Sequence, residues 1–240
     1  MAITVPTSLV AAIGGIKISD YATSIETGVD VGVIDTTTFG SGSFTQSAAA
    51  LRAAVVQMSG LNDIDAIETL LAAQLGAATV ATVCPEGDTA GNVAGIAYGM
   101  VGQWRLVNVS VGQASTISVP LAPIAGGRPL QGLVTRGTGT AVTATGTTTA
   151  VQAGAATVGA WASLHVLAIS GTSPTITAQL QSSTTSGGSY TARGSASSSR
   201  NAVGSDWIVG ATTTDTWWRL SLTVGGSGVS ITALAAIGVL

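Results

Sequence analysis

The chain has 240 residues and a formal net charge of -3, with 8 Lys and Arg against 11 Asp and Glu; only 8% of its residues are charged, while 46% are hydrophobic and 4% aromatic. This length can bury the core of one large β domain or two small ones, and a composition so poor in charge and rich in Ala, Val, Thr, Ser and Gly excludes a basic nucleic-acid-binding domain. A soluble monomer keeps about a quarter of its residues charged, so the shortage implies a surface largely covered by other subunits, with a secreted Thr/Ser-rich adhesin as the competing reading.

In chain order, Ile16 to Ser19 alternates as a short strand after the Gly14-Gly15 pair, and Asp20 to Thr27 reads as a polar connection. Val29, Val31 and Val33 alternate with Asp30, Gly32 and Ile34, the pattern of a strand with one buried face. Thr36 to Phe44 follows as a Thr/Gly/Ser loop carrying Phe39 and Phe44, with Gly40 and Gly42 free to adopt turn conformations. Residues 46 to 58 are ambiguous. Their Ala, Leu, Arg and Gln favour helix by propensity, whereas alternation favours a strand over 51 to 59. A helix is predicted over Asp63 to Leu75, where Ile64, Ile67, Leu71 and Leu75 form one apolar stripe. Asn62 would cap it, Asp63, Asp65 and Glu68 would suit the positive end of its dipole, and Gly76 would end it.

Thr79 to Val83 is a predicted strand, Pro85 to Asp88 a turn, and Gly91 to Tyr98 a Gly/Ala-rich strand or loop. Trp104 to Val111 and Ser115 to Leu121 alternate strongly as strands. Composition then shifts at Ala125 to Pro129, and Arg136 to Thr149 is almost entirely Gly, Thr, Ala and Val. A domain boundary is therefore expected near residue 138, giving domains of 1–137 and 138–240. The second contains short β candidates at 147–152, 161–169, 175–181, 207–209, 217–224 and 229–237, the pattern of a β-sandwich. Trp161, Trp207, Trp217 and Trp218 would supply much of its large-residue burial.

Charge differs between the two halves. Residues 1–125 carry three basic residues against nine acidic ones, a net of -6, while residues 126–240 carry five Arg against two Asp, a net of +3. The acidic half would repel nucleic acid. The lone Cys84 excludes an internal disulfide framework and fits a reducing cytoplasm. The N-terminus lacks the basic region of a signal peptide, and the apolar runs at Leu9 to Ile16, Val93 to Gly102 and Leu234 to Leu240 fall short of the ~20 residues a bilayer span needs.

Catalytic and cofactor motifs do not emerge. His165, the sole histidine, lies mid-strand and is expected to be structural, because no metal cluster can be built around it. Cys84 would need a base to act as a nucleophile, and the one histidine lies in the other expected domain. Glu86 and Asp88 flank Gly87 in what reads as a solvated turn. Asp63, Asp65 and Glu68 lack the glycine and spacing of a calcium loop. No phosphate-binding glycine motif is present, and Asn108-Val109-Ser110 matches a glycosylation triplet that means nothing without secretion. The chain is thus expected to be no enzyme and to need no cofactor or metal.

The order of elements resembles a known family. Val33 to Asp63, with Asp35-Thr36-Thr37-Thr38-Phe39-Gly40, a strand, and Ser59-Gly60-Leu61-Asn62-Asp63 ahead of an amphipathic helix, resembles the N-terminal domain of tail tube (major tail) proteins of long-tailed bacteriophages. Gly171-Thr172-Ser173-Pro174-Thr175-Ile176, Gln181-Ser182-Ser183 and Thr216-Trp217-Trp218-Arg219 resemble the β-sandwich domain such proteins often carry at the C-terminus.

The resemblance implies a mainly β protein: an N-terminal β-barrel or sandwich with one packed helix, then a jelly-roll or Ig-like sandwich on the tube exterior. Hexameric rings would stack into a hollow virion tail tube, made in the bacterial host cytoplasm, with an acidic wall that lets DNA slide through during ejection. Tape measure and tail terminator proteins would be partners, with no membrane anchor. The loop from Thr36 to Ala48 would form a contact between rings through Thr37, Phe39, Gly40 and Phe44. A carbohydrate-binding or adhesive module, motivated by the Trp-rich second half, is the alternative; a hydrolase is a remote third.

Overall fold

The computed structural model describes residues 8–35, 47–59, 64–103, 105–107, 116–122, 124–125 and 129–240. Strands β1 (Val10–Ile13) and β2 (Ile16–Lys17) form a tight hairpin that ends in a 3-10 turn at Ile18–Asp20. They are followed by β3 (Ser24–Asp35), β4 (Ser47–Ser59), helix α1 (Ile64–Ala72), β5 (Ala78–Cys84) and β6 (Val93–Val101). Next come β7 (Arg105–Val107), β8 (Thr116–Ala122), β9 (Pro129–Arg136), β10 (Gly146–Thr147) and β11 (Val151–Gln152). The chain closes with β12 (Ala160–Ser183), β13 (Thr191–Ala192), β14 (Gly204–Gly210) and β15 (Trp217–Val239). Among the described residues the protein is mainly β with one α-helix, as the sequence predicts.

One path of antiparallel pairing runs β13, β12, β15, β9, β6, β5, β1, β2. The strands in the middle of this path are buried on both faces, and alternation along them sorts side chains into two layers. On β1, β5 and β6, the residues Ala11, Ile13, Ala81, Val83, Ala97 and Val101 face a first core with Val56 and Met58 of β4, Ile117 to Leu121 of β8, and Ile67 and Leu71 of α1. Their alternates Ala12, Cys84, Ala94 and Ile96 join Leu130 and Val134 of β9, Trp161 of β12, and Leu234 and Ala236 of β15 in a middle core. A third core holds the alternates on the other face, Ala160, Ala162, Leu164 and Val166 of β12 with Ile231, Ala233, Ala235 and Ile237 of β15, together with Ile176, Ala178, Leu180, Ile208, Trp218, Leu220 and Leu222, all from beyond residue 138. Doubly buried strands have no room for charge and little for large side chains. Part of the Ala/Val excess and charge deficit therefore has its cause inside the subunit.

Two predicted separators are bends within continuous strands. β12 and β15 are 24 and 23 residues long and pair from Ala160↔Val239 to Ser183↔Trp217. The register shifts between Val166 and Ala168 and again between Ser170 and Thr175. There Gly171, Ser173, Gly226 and Gly228 have φ of 125°, 49°, 103° and 60°. These bulges turn both strands at one corner, so the ribbon folds over and encloses the third core between its two ends. The sequence reading ends and restarts a strand between 161–169 and 175–181 and again between 217–224 and 229–237; the residues in between, Gly171 to Pro174 and Gly225 to Gly228, form the corner instead.

Other boundaries also move. The polar connection ends at Thr23, because Ser24 to Thr27 already pair with Val56 to Ser59. Residues 47–59 are strand throughout, so cross-strand pairing with β3 and β8 overrides the helical propensity of this stretch. The helix is shorter than 63–75 and stops at Ala72; Leu75 is 45% exposed and bridges Val101 rather than completing the apolar stripe. Gly76, with φ 74°, follows in the turn. Asn62 and Asp63 lie outside the described residues. β9 has no counterpart in the sequence reading.

The expected boundary at residue 138 follows β9 directly. β9 pairs with β6 on one side and β15 on the other, so pairing continues across this point. Thr138 is also held by Asp88 of the β5–β6 turn, whose carboxylate accepts the Thr138 amide at 2.5 Å and the Thr138 hydroxyl at 2.6 Å. At the other end of this seam, Gly15 (φ 87°) lies so close to β14 that an added Cβ would sit 2.4 Å from the Gly204 nitrogen. Gly15→Ala is expected to cost about 2–4 kcal/mol, combining left-handed strain with a backbone clash, as read by the urea midpoint. An unchanged midpoint would show that the two turns do not meet.

Candidate assembly surface

β3 and β4 pair from Ser24↔Ser59 to Asp35↔Ser47, but β8 pairs only with Ala54 to Ser59 of β4. The segments Asp30–Asp35 and Ser47–Ala53 therefore pair with each other alone among the described strands, extending about 20 Å beyond the last residue held by β8 at ~3.4 Å per residue. A register shift between Val31 and Val33 sets Gly32 opposite two residues of β4, a bulge of the kind that increases local twist. β3 has no other described partner, so one whole edge of this arm is unpaired. A lone two-stranded hairpin is marginal in water, and an open edge invites another chain. The arm sequences, DVGVID and SAAALRA, carry two Asp and one Arg among mostly apolar residues. The arm leads into residues 36–46. Thr37, Phe39, Gly40 and Phe44, the expected inter-ring residues, lie outside the described residues, as does the 108–110 triplet.

His165, Cys84 and Asp88 are each engaged within the fold. His165 is fully buried; its Nδ1 lies 3.4 Å from the Gly15 amide, which donates to it, and its Nε2 lies 2.9 Å from the Thr82 hydroxyl. That hydroxyl in turn donates to Ser163 Oγ at 2.9 Å. Burial pushes the His165 pKa down to about 3. Cys84 is buried two residues from Thr82, and burial, aided by Asp88, pushes its thiol up to about 12. An activated Cys–His pair needs the opposite shifts, a stabilised thiolate and a charged imidazole. Glu86 is exposed, but Asp88 departs from the solvated-turn expectation. Burial raises its pKa, and hydrogen bonds, first those from Thr138, together with the charge of Lys17 more than offset this, so the carboxyl titrates below its ordinary range. Among the described residues no group of three or more His, Cys, Asp or Glu could hold a metal ion.

The aromatic residues of the second half mainly pack the interior. Trp161 and Trp218 are buried, and Trp218 donates to the Gly154 carbonyl at 2.8 Å. Trp207 stacks on Tyr98 of β6 with centroids 5.5 Å apart, and Trp217 is half-buried. The flat exposed aromatic surface that a sugar platform needs is therefore not what these four residues provide. At the far end of the ribbon, Arg219 stacks over Tyr190 at 3.9 Å. Arg193 bridges Asp215 at 2.6 Å, and hydrogen bonds from Ser182 and then Arg193 hold the Asp215 carboxyl below its usual range. A cleft of about 300 Å³ lies between β9, β11 and the end of β15, lined by Val93, Gln131, Leu133, Gln152 and Val239.

No protein-family model matches the chain, and no curated protein matches it. Among solved structures it is similar to the Dit (gp 19.1) protein of phage SPP1, whose crystal structure is described as a paradigm of the hub adsorption apparatus in phages that infect Gram-positive bacteria. Identity is 12%, over 97% of this chain and 99% of that one, with a TM-score of 0.35. A likeness at this level establishes neither a common fold nor a common function.

Proposed function

We propose that this chain is a structural subunit of a bacteriophage tail, and specifically that it assembles into stacked hexameric rings forming a tail tube for DNA delivery. The observation that carries this reading is the β3–β4 arm, a low-charge hairpin with one open edge and no partner among the described strands. Such an element gains its stability by docking on another subunit. The residues it carries, Thr37, Phe39, Gly40 and Phe44, are the proposed contact between rings. The acidic balance of the first half suits a wall along which DNA passes without specific binding.

In this reading residues 1–137 form the tube-building module and 138–240 a module on the outside. The first and third cores, drawn from either side of residue 138, support that division, and the middle core would be the interface between modules. Partners would be further copies of the chain, the tape measure and the tail terminator, all within the virion tail after assembly in the host cytoplasm. Electron microscopy of the purified protein tests the proposal: rings or tubes of uniform bore are expected.

A further inference from the structure

We propose that the His165 network is an acid-sensitive latch: on acidification the seam between the two halves parts, while the folded-over core of the second half stays closed. The argument begins with placement. His165 lies on the face of β12 that meets β5 and the β1–β2 turn, and its two ring nitrogens are used by Gly15 and Thr82, both from the first half. Around it the seam consists of the Thr82–Ser163 hydrogen bond, the Val80 amide on Ser205 Oγ at 3.3 Å, the Tyr98–Trp207 stack and the middle core. The buried indole nitrogen of Trp207 has no hydrogen-bond partner, so this layer is incompletely satisfied before any proton arrives.

A neutral ring can accept the Gly15 N–H. A protonated ring has two donors and no acceptor, which turns that hydrogen bond into a clash of two N–H groups. Among the described residues, nothing facing the ring compensates the charge. On β2 and the turn after it, Lys17 and Asp20 pair with each other at the surface at 2.6 Å. On β5 the titratable group of this layer is Cys84, whose raised pKa keeps it neutral. On β14, Asp206 belongs to the opposite face and is held by Arg200 at 2.8 Å. β15 contributes Leu234 and Ala236 to the layer.

The sign follows from these contacts. His165 titrates at about 3 when closed, because of burial, against 6.5 when hydrated. The open form therefore binds the extra proton, and the seam loses stability as pH falls below 6.5. Each unit raises the open-to-closed ratio about tenfold until the closed form itself protonates. Pairing through β9 to β15 would serve as the hinge.

Cys84 reports the opening, since it is the chain's one cysteine and lies in the middle core. Its labelling by 4,4′-dithiodipyridine, which reacts with thiols in acid, is measured relative to the urea-unfolded chain at each pH. From pH 7.5 to 5 the relative rate should rise roughly thirtyfold, and His165→Asn, or His165→Gln if that variant does not fold, should flatten the profile. Amides of 175–183 and 217–224 should keep their hydrogen-exchange protection throughout. A flat wild-type profile overturns the latch, as does an equal rise in the histidine variant, or distal amides that exchange in step with Cys84.

Discussion

Trp218→Ala should cost about 3–5 kcal/mol, the range for removing a large buried aromatic, and lower the urea midpoint of the second half's transition accordingly. Among the described residues Trp218 is the largest fully buried side chain, packed in the third core with Leu164, Ile176, Ile208 and Leu220. Its indole also donates to the Gly154 carbonyl at 2.8 Å, tying the segment after β11 to β15. The substitution thus opens a cavity and removes a buried hydrogen bond together. Domains are commonly stable by only 5–15 kcal/mol, so the loss would be a large share of the total. Trp217→Ala is the natural control: Trp217 lies on the other face of the same strand and is half-buried, and a change near 1 kcal/mol is expected. Equal effects from the two substitutions would mean that the ribbon does not fold over as described.

Removing the arm should abolish assembly and leave the subunit folded. Val29 and Ala54 stand opposite each other in the ladder, so an Asn-Gly turn can join them directly as a two-residue hairpin loop. Val56 and Met58, which pack in the first core, are retained. The shortened chain should keep the urea transition of the full chain and form no tubes at any concentration at which the full chain does. Phe39→Ser with Phe44→Ser provides a second variant that keeps the arm. Two buried Phe contribute roughly 1.5–3 kcal/mol each, so their joint loss should raise the critical concentration at least about a hundredfold. Tubes forming normally from either variant would remove the arm from the assembly mechanism.

Much of the architecture was legible because strand alternation is a local signal. β5, β8 and the buried parts of β12 and β15 follow directly from residues such as Thr79 to Val83 and Ser115 to Leu121. What was not legible depends on distant partners. The corner at Gly171 to Pro174 and Gly225 to Gly228 has the chemistry of two chain reversals, and only the pairing of the strands to either side makes it a single bend. The stretch 47–59 carries helix-forming residues and is a strand because β3 and β8 flank it. Leu75 fits a helical stripe by spacing, but the helix has already ended at Ala72. His165 reads as a mid-strand residue, and it lies within β12, fully buried. Its partners Gly15 and Thr82 could not be read, because they lie 150 and 83 residues away.

The low charge that first suggested assembly now has two sources. Strands buried on both faces account for part of it inside one subunit, and the low-charge arm places the remainder of the argument on a defined element. The direct measurement is electron microscopy of the purified, full-length protein over a range of concentrations. Six-fold rings, or tubes of one uniform bore, are the expected result; a monomer that persists at high concentration would contradict the account.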